Sequence, residues 1–241
     1  MSGARLTALL GTVLVFGAAF ASAAQGDTEA RIAPSFSPDR LGAGTAVTLS
    51  AHFASTQGVP APLHAITVHL PAGLAVNLSG LGICPRARLA ARGPRGCPSS
   101  SLVGRGSALL EGQLGVLAIP ESATLTAFRG PNRNGNPTLE ISGHGLSPLD
   151  VRVTFSGVLE PDRAPYGRKL VMAIPAIATL PTEPDASTSR FSLTIGGAAA
   201  PHARGAIRVP GSCPSGGFPF AASFAFADGT GSEASAAVAC P

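Results

Sequence analysis

The sequence predicts an all-β protein, an antiparallel β-sandwich or barrel of about ten short strands with one short helix, on three observations. Apolar and polar residues alternate with period two along much of the chain. Gly and Pro, 30 and 22 of 241 residues, interrupt that alternation about every ten residues, as turns do in sandwiches and barrels. Apolar residues at helical spacing are almost absent.

Taken in order, the first 24 residues read as a signal peptide. Arg5 is the lone charge before a run from Leu6 to Phe20, and small residues ending Ala21-Ser22-Ala23 follow. A run of about fifteen residues is short for a membrane span, which needs about twenty. Cleavage is expected after Ala23 or Ala24, leaving 25–241 as one exported β-domain without a transmembrane segment.

The first strands are expected where Val47, Leu49, Ala51 and Phe53 alternate with Thr48, Ser50 and His52, and where Ile66, Val68 and Leu70 alternate with Thr67 and His69. The helix follows Cys84, because Pro85 suits a first helical position and Gly93-Pro94 a stop. Weaker strand patterns cover 102–110, 113–119, 121–128 and 137–142. Clear alternation returns at Val151, Val153 and Phe155, at Leu170, Met172 and Ile174, and at Phe191, Leu193 and Ile195.

Near the carboxy terminus Phe218, Phe220, Phe224 and Phe226 share one strand face. Asp228-Gly229 then signals a type I′ turn, and 230–240 returns with Ala234, Ala236 and Val238 opposite the rings. A two-residue turn puts Ala227 opposite Thr230 and Cys240 opposite Gly217, a few flexible residues from Cys213. That register pairs Cys213 with Cys240 and, by elimination, Cys84 with Cys97. Four cysteines in an exported chain favour disulfides, and the spacing of Cys84 and Cys97 suits no zinc motif. No metal or cofactor is expected.

The run Cys213-Pro214-Ser215-Gly216-Gly217-Phe218-Pro219-Phe220, continuing through Ala227-Asp228-Gly229-Thr230 to Cys240-Pro241, resembles the end of a group of uncharacterised secreted proteins from high-GC actinobacteria. The Ser79–Pro85 and Gly96–Pro98 segments are similar to theirs as well. The resemblance covers most of the chain from Pro38 and implies a shared fold with paired cysteines. It implies no catalytic or ligand-binding residue.

Catalytic patterns are scarce. No G-x-S-x-G elbow occurs. Glu160 with Asp162, and Glu183 with Asp185, are close carboxylate pairs, each flanking a proline and readable as turn residues. His52 and His69 occupy the polar faces of two strands that could be neighbours; His64, His144 and His202 lie among Gly and Pro and read as loop residues. With no Trp and only Tyr166, the chain lacks the flat rings on which sugars stack. Tyr166 reads as a ring covering a strand end.

Charge points elsewhere. Only 12% of residues are charged, about half the usual fraction, and the net charge is +4. Arg86, Arg88, Arg92 and Arg95 fall inside the Cys84–Cys97 segment, with Arg105 soon after, and no Asp or Glu occurs between Leu41 and Glu111. A second basic segment runs from Arg129 to Gly135. These five arginines are the candidate binding residues for an anionic cell-envelope polymer or lipid surface. Nucleic acid is disfavoured, because no aromatic accompanies them for base stacking. The expected function is a non-catalytic, secreted structural or interaction module; the alternative is a secreted hydrolase with an unrecognised carboxylate or histidine site.

Overall fold

The computed structural model describes residues 27–241 apart from 57, 116, 148, 149 and 180, so the expected signal peptide lies outside the described residues. The strands are β1 (Thr28–Ser37), β2 (Ala46–Ser55), β3 (Leu63–Pro71), β4 (Ala75–Val76), β5 (Leu102–Leu114), β6 (Leu117–Arg133) and β7 (Asn136–Gly145). They continue with β8 (Val151–Pro161), β9 (Tyr166–Ala173), β10 (Ser187–Gly196), β11 (Ile207–Arg208), β12 (Phe218–Phe226) and β13 (Gly231–Val238). The single α-helix among the described residues is α1 (Arg86–Arg92), inside the first disulfide loop as expected.

Eleven strands form one antiparallel sheet in the order β1-β2-β10-β5-β6-β7-β8-β9-β3-β12-β13, and β4 pairs with β11 in a separate ribbon. The sheet curls until its outer strands meet: β13 runs alongside β1, and the Ala30 N–H donates to Ser232 Oγ at 3.1 Å. The result is a nearly closed barrel. Alternation sets its two faces, because successive side chains point to opposite sides of a strand. Phe53, Ile66, Val68, Ile141, Phe224 and Phe226 turn inward and are buried. Outward stand Thr48, Ser50 and His52 on β2, and Arg190, Ser192 and Thr194 on β10. A barrel that crosses a bilayer shows the reverse polarity, with an apolar band outside. No helix among the described residues is long and apolar enough to cross a membrane.

The lower end, where the Asn134-Gly135 hairpin turns, is filled by Phe36, Leu74, Ile207, Val209, Phe218 and Phe220. The upper end carries the β5–β6 and β12–β13 hairpins and the 174–186 segment. That segment is tied down by backbone pairing of the Ala186 N–H with Ile177 O at 2.8 Å and by the Ser187 hydroxyl, which donates to Pro60 O.

Most expected strands form, with three corrections. The 113–119 pattern is a hairpin, since Leu114 pairs with Leu117 and Gly115 takes φ 59°. β1 was not foreseen, because Pro34 interrupts it and its polar face carries Glu29 and Arg31; it sits at the sheet's end, where only β2 pairs with it by a ladder. The β12–β13 register is one residue off the expected one, with Phe218 opposite Val238 and Ala225 opposite Gly231. The cause is at the turn. A type I′ turn needs positive φ at both central residues, but here only Gly229 has it, at 83°, while the Asp228 carboxylate accepts from the Thr230 N–H and hydroxyl. A three-residue loop results. It sets Phe220 directly against Ala236 and Ala222 against Ala234.

The disulfides are nonetheless the expected ones, Cys84–Cys97 and Cys213–Cys240, with Cα atoms 5.3 and 6.0 Å apart. Gly217 makes the second possible. At φ 87° it passes so close to β13 that a Cβ would lie 2.4 Å from Val238 O, which lets the chain fold back toward Cys240.

Candidate functional site

The candidate binding surface is built on the Cys84–Cys97 loop. Leu89 is the one buried residue of α1; with Cys84 it packs on Phe128, which faces outward from β6 because Ala127 faces in. The Cys84 N–H donates to Arg129 O at 2.9 Å, and the Arg86 guanidinium donates to Thr154 O at 2.9 Å, which fix the helix across β7 and β8. With Leu89 turned down, Arg86, Arg88, Arg92 and Arg95 are all exposed. None of the four makes an ion pair among the described residues. Arg105 is exposed on the outer face of β5, between Thr126 and Thr194 by register and apart from the helix.

The second basic segment does not join this surface as a whole. Arg129 turns back to donate to Leu81 O, so its guanidinium is spent on fixing the loop. Asn134 and Gly135, at φ 50° and 78°, form the tight hairpin turn.

A further basic row was not anticipated. Register places Arg31 of β1 opposite His52 of β2, and His52 opposite Arg190 of β10, all three exposed. Below them Ser50 donates to Ser192 at 2.9 Å, and Thr48 and Thr194 share a hydrogen bond at 2.8 Å. The row and the Ser50–Ser192 pair line a cleft of about 570 Å³. Glu29 pairs with Arg31 at 2.9 Å, but both side chains are largely solvated. Because β2 and β10 are far apart in the chain, only the strand order reveals this row.

His52 and His69 are not neighbours: His52 lies between β1 and β10, whereas His69 of β3 lies between β9 and β12. His64 and His144 are strand residues rather than loop residues. The glycines beside His144 belong to β7, where Gly143 fits against Val153 and Gly145 against the Glu121 carboxyl.

His69 has instead found an expected acid. Its Nδ1 lies 2.6 Å from Asp162 Oδ2, the Tyr166 ring sits 5.1 Å from the imidazole, and Lys169 pairs with Glu160 at 3.6 Å nearby. Burial raises the Asp162 carboxyl, but the hydrogen bonds from His69 and the Arg163 N–H outweigh it, and the net result is a value below the ordinary 3.8. The pair could orient an imidazole for acid–base chemistry, yet no hydroxyl or thiol hydrogen-bonds to His69 among the described residues. It reads as a latch between β3 and the β8–β9 hairpin. Replacing Asp162 by alanine is expected to cost about 1–2 kcal/mol at pH 7, since a charge-assisted bond is lost. A depressed carboxyl contributes stability above its unfolded value and loses it as pH falls through the folded one. The difference between wild type and variant, measured by urea unfolding, should therefore shrink below about pH 4.

The other expected acids are dispersed. Glu183 accepts the Gly115 N–H at 3.5 Å. Asp150 is held below its ordinary value first by the hydrogen bond from His144, with Arg152 adding to the effect. No group of three or more His, Cys, Asp or Glu among the described residues is placed to hold a metal ion. Comparison with protein-family models, with curated proteins and with solved structures returns no match.

Proposed function

We propose that this chain is a non-catalytic module exported to the cell exterior, in which the barrel is a rigid frame and the stapled helix is a contact surface for an anionic polymer or lipid surface of the envelope. One observation carries the reading: four exposed arginines, free of ion pairs among the described residues, three on a short helix and Arg95 in the turn after it, are presented by a loop held by a disulfide and a buried leucine. Guanidinium groups fixed this way lose little freedom on meeting phosphate or carboxylate, which lowers the entropic cost of contact. Arg105, and the Arg31–His52–Arg190 row beyond it, extend positive potential along the outer surface from β1 to β8. Export is supported by the two disulfides and by the leader-like pattern of residues 1–24.

The test replaces Arg86, Arg88, Arg92 and Arg95 together by glutamine and measures sedimentation with phosphatidylglycerol vesicles and, separately, retention on heparin. Basic residues near an anionic surface contribute about 1 kcal/mol each, so a loss of at least about tenfold is expected. Loss on vesicles alone marks a lipid partner, and loss on heparin alone marks a polymer. Wild-type binding to both that the variant leaves unchanged would discard the reading.

A further inference from the structure

Barrels of about eight strands are just filled by their own side chains, and wider ones leave room inside. Here eleven strands surround a core in which three cavities adjoin along the barrel axis. The lowest, about 100 Å³, lies between Leu74 and Phe191; the middle one, about 80 Å³, shares Met172, Phe191 and Leu193 with it. The uppermost, about 120 Å³, shares Leu110, Val151 and Ile177 with the middle one. The shared side chains form part of both walls.

The walls specify what could enter. In the two deeper cavities they are almost entirely aliphatic or aromatic, and a cavity without polar partners does not hold water. Small residues line the middle cavity: Ala108 and Ala123, with Gly143 and Gly145, onto which Val153 and Glu121 close. The upper cavity reaches the surface at Leu114, which lines it and is 43% exposed. Leu117 and Leu146, 64% and 67% exposed, stand at the same end, on the β5–β6 hairpin and just after β7. Three of the five large exposed apolar side chains among the described residues are thus gathered at this one end.

One polar feature guards the entrance. Glu121, 6% exposed, faces inward from β6 over Gly145 and is the only carboxyl group lining any of the three cavities. A charged head group beside it would lose its water in a poorly solvated place.

We propose that the barrel interior binds one slender apolar ligand, a linear alkyl chain with an uncharged polar head, entering between Leu114 and Leu146 with its head left at Glu121. Side chains such as Phe191 and Met172 would swing aside to join the cavities, as the flexibility of methionine and the shared walls allow. The site is independent of the arginine surface.

The test is calorimetric titration of the disulfide-intact protein with octan-1-ol, decan-1-ol and decanoate at pH 7. One equivalent should bind. Each added methylene should tighten binding about fourfold, so decanol should exceed octanol by about tenfold or more. Decanoate should bind at least about tenfold more weakly than decanol. Ala123→Leu, which puts a branched side chain into the middle cavity, should abolish decanol binding. If that variant does not fold, the chain-length series on the unaltered protein decides alone. The proposal is overturned if folded wild type binds neither alcohol, if affinity is indifferent to chain length, if decanoate binds as well as decanol, or if folded Ala123→Leu binds decanol undiminished.

Discussion

Replacing Phe53 by alanine should remove about 3–5 kcal/mol of stability, up to half or more of what a domain of this kind usually has. Phe53 is 2% exposed and lies where the two ends of the sheet come together. Its ring meets Phe224 edge-on with centroids 4.8 Å apart, and Phe226 and Phe191 at 6.1 and 6.2 Å. Phe53 belongs to β2 and Phe224 to β12, strands that do not pair, so this contact helps hold the barrel across its interior rather than along a ladder. Edge-to-face geometry adds about 0.5–1.5 kcal/mol beyond area burial, and the rigid strands around the ring cannot collapse into the void. Urea unfolding measures the loss as a lower midpoint. Phe53→Leu, which keeps most of the volume, should retain more than half of the stability that alanine forfeits; equal losses would show that the ring is not a keystone.

Opening the Cys213–Cys240 bridge, as the double serine variant, should lower stability by about 3.6 kcal/mol, and opening Cys84–Cys97 by about 3 kcal/mol. Both figures follow from the loop closed in the unfolded chain. The two losses differ in kind. Cys213 and Cys240 join the end of β13 to the segment that plugs the lower end, where Phe218 and Val209 are fully buried, so the loss should lower the midpoint of global unfolding. Cys84–Cys97 holds a peripheral loop whose only buried helical residue is Leu89, so its loss should first release α1 as a local event. Thermal melts with and without reductant, followed by far-ultraviolet circular dichroism, separate the two. Both variants should keep native β-structure below the melt.

Where the signal is local, the sequence was readable. The period-two runs at 47–53, 66–70 and 218–226 became β2, β3 and β12 because each has one wet and one dry face, and alternation records that. Pro85 and Gly93 bracket α1 for similarly local reasons. What failed was one step removed. The choice between Asp228 in a tight turn and Asp228 as an acceptor for Thr230 is decided by a few atoms, and it moved the last register by one residue. The disulfide survived because Gly216 and Gly217 have slack to spare.

The candidate sites were legible only in part. The arginines of the first disulfide loop cluster in the chain itself, so their grouping required no fold. The Arg31–His52–Arg190 row requires β10 to return beside β2 across more than a hundred residues, and the His69–Asp162 contact requires the β8–β9 hairpin to fold over β3. The cavities were invisible for a third reason. Glycine and alanine facing inward look, in a chain rich in both, like ordinary composition.

The central claim is that the stapled arginines contact an anionic partner, and its most direct test is the salt dependence of heparin binding. Contacts that displace condensed counterions make the logarithm of affinity fall linearly with the logarithm of salt, by about 0.7–0.9 for each contact. If Arg86, Arg88, Arg92 and Arg95 all engage, the wild-type slope should be about −3 or steeper, and glutamine at the four positions should bring it close to zero. A wild-type slope that the fourfold replacement leaves in place would contradict the account, because the binding would then belong to another part of the surface.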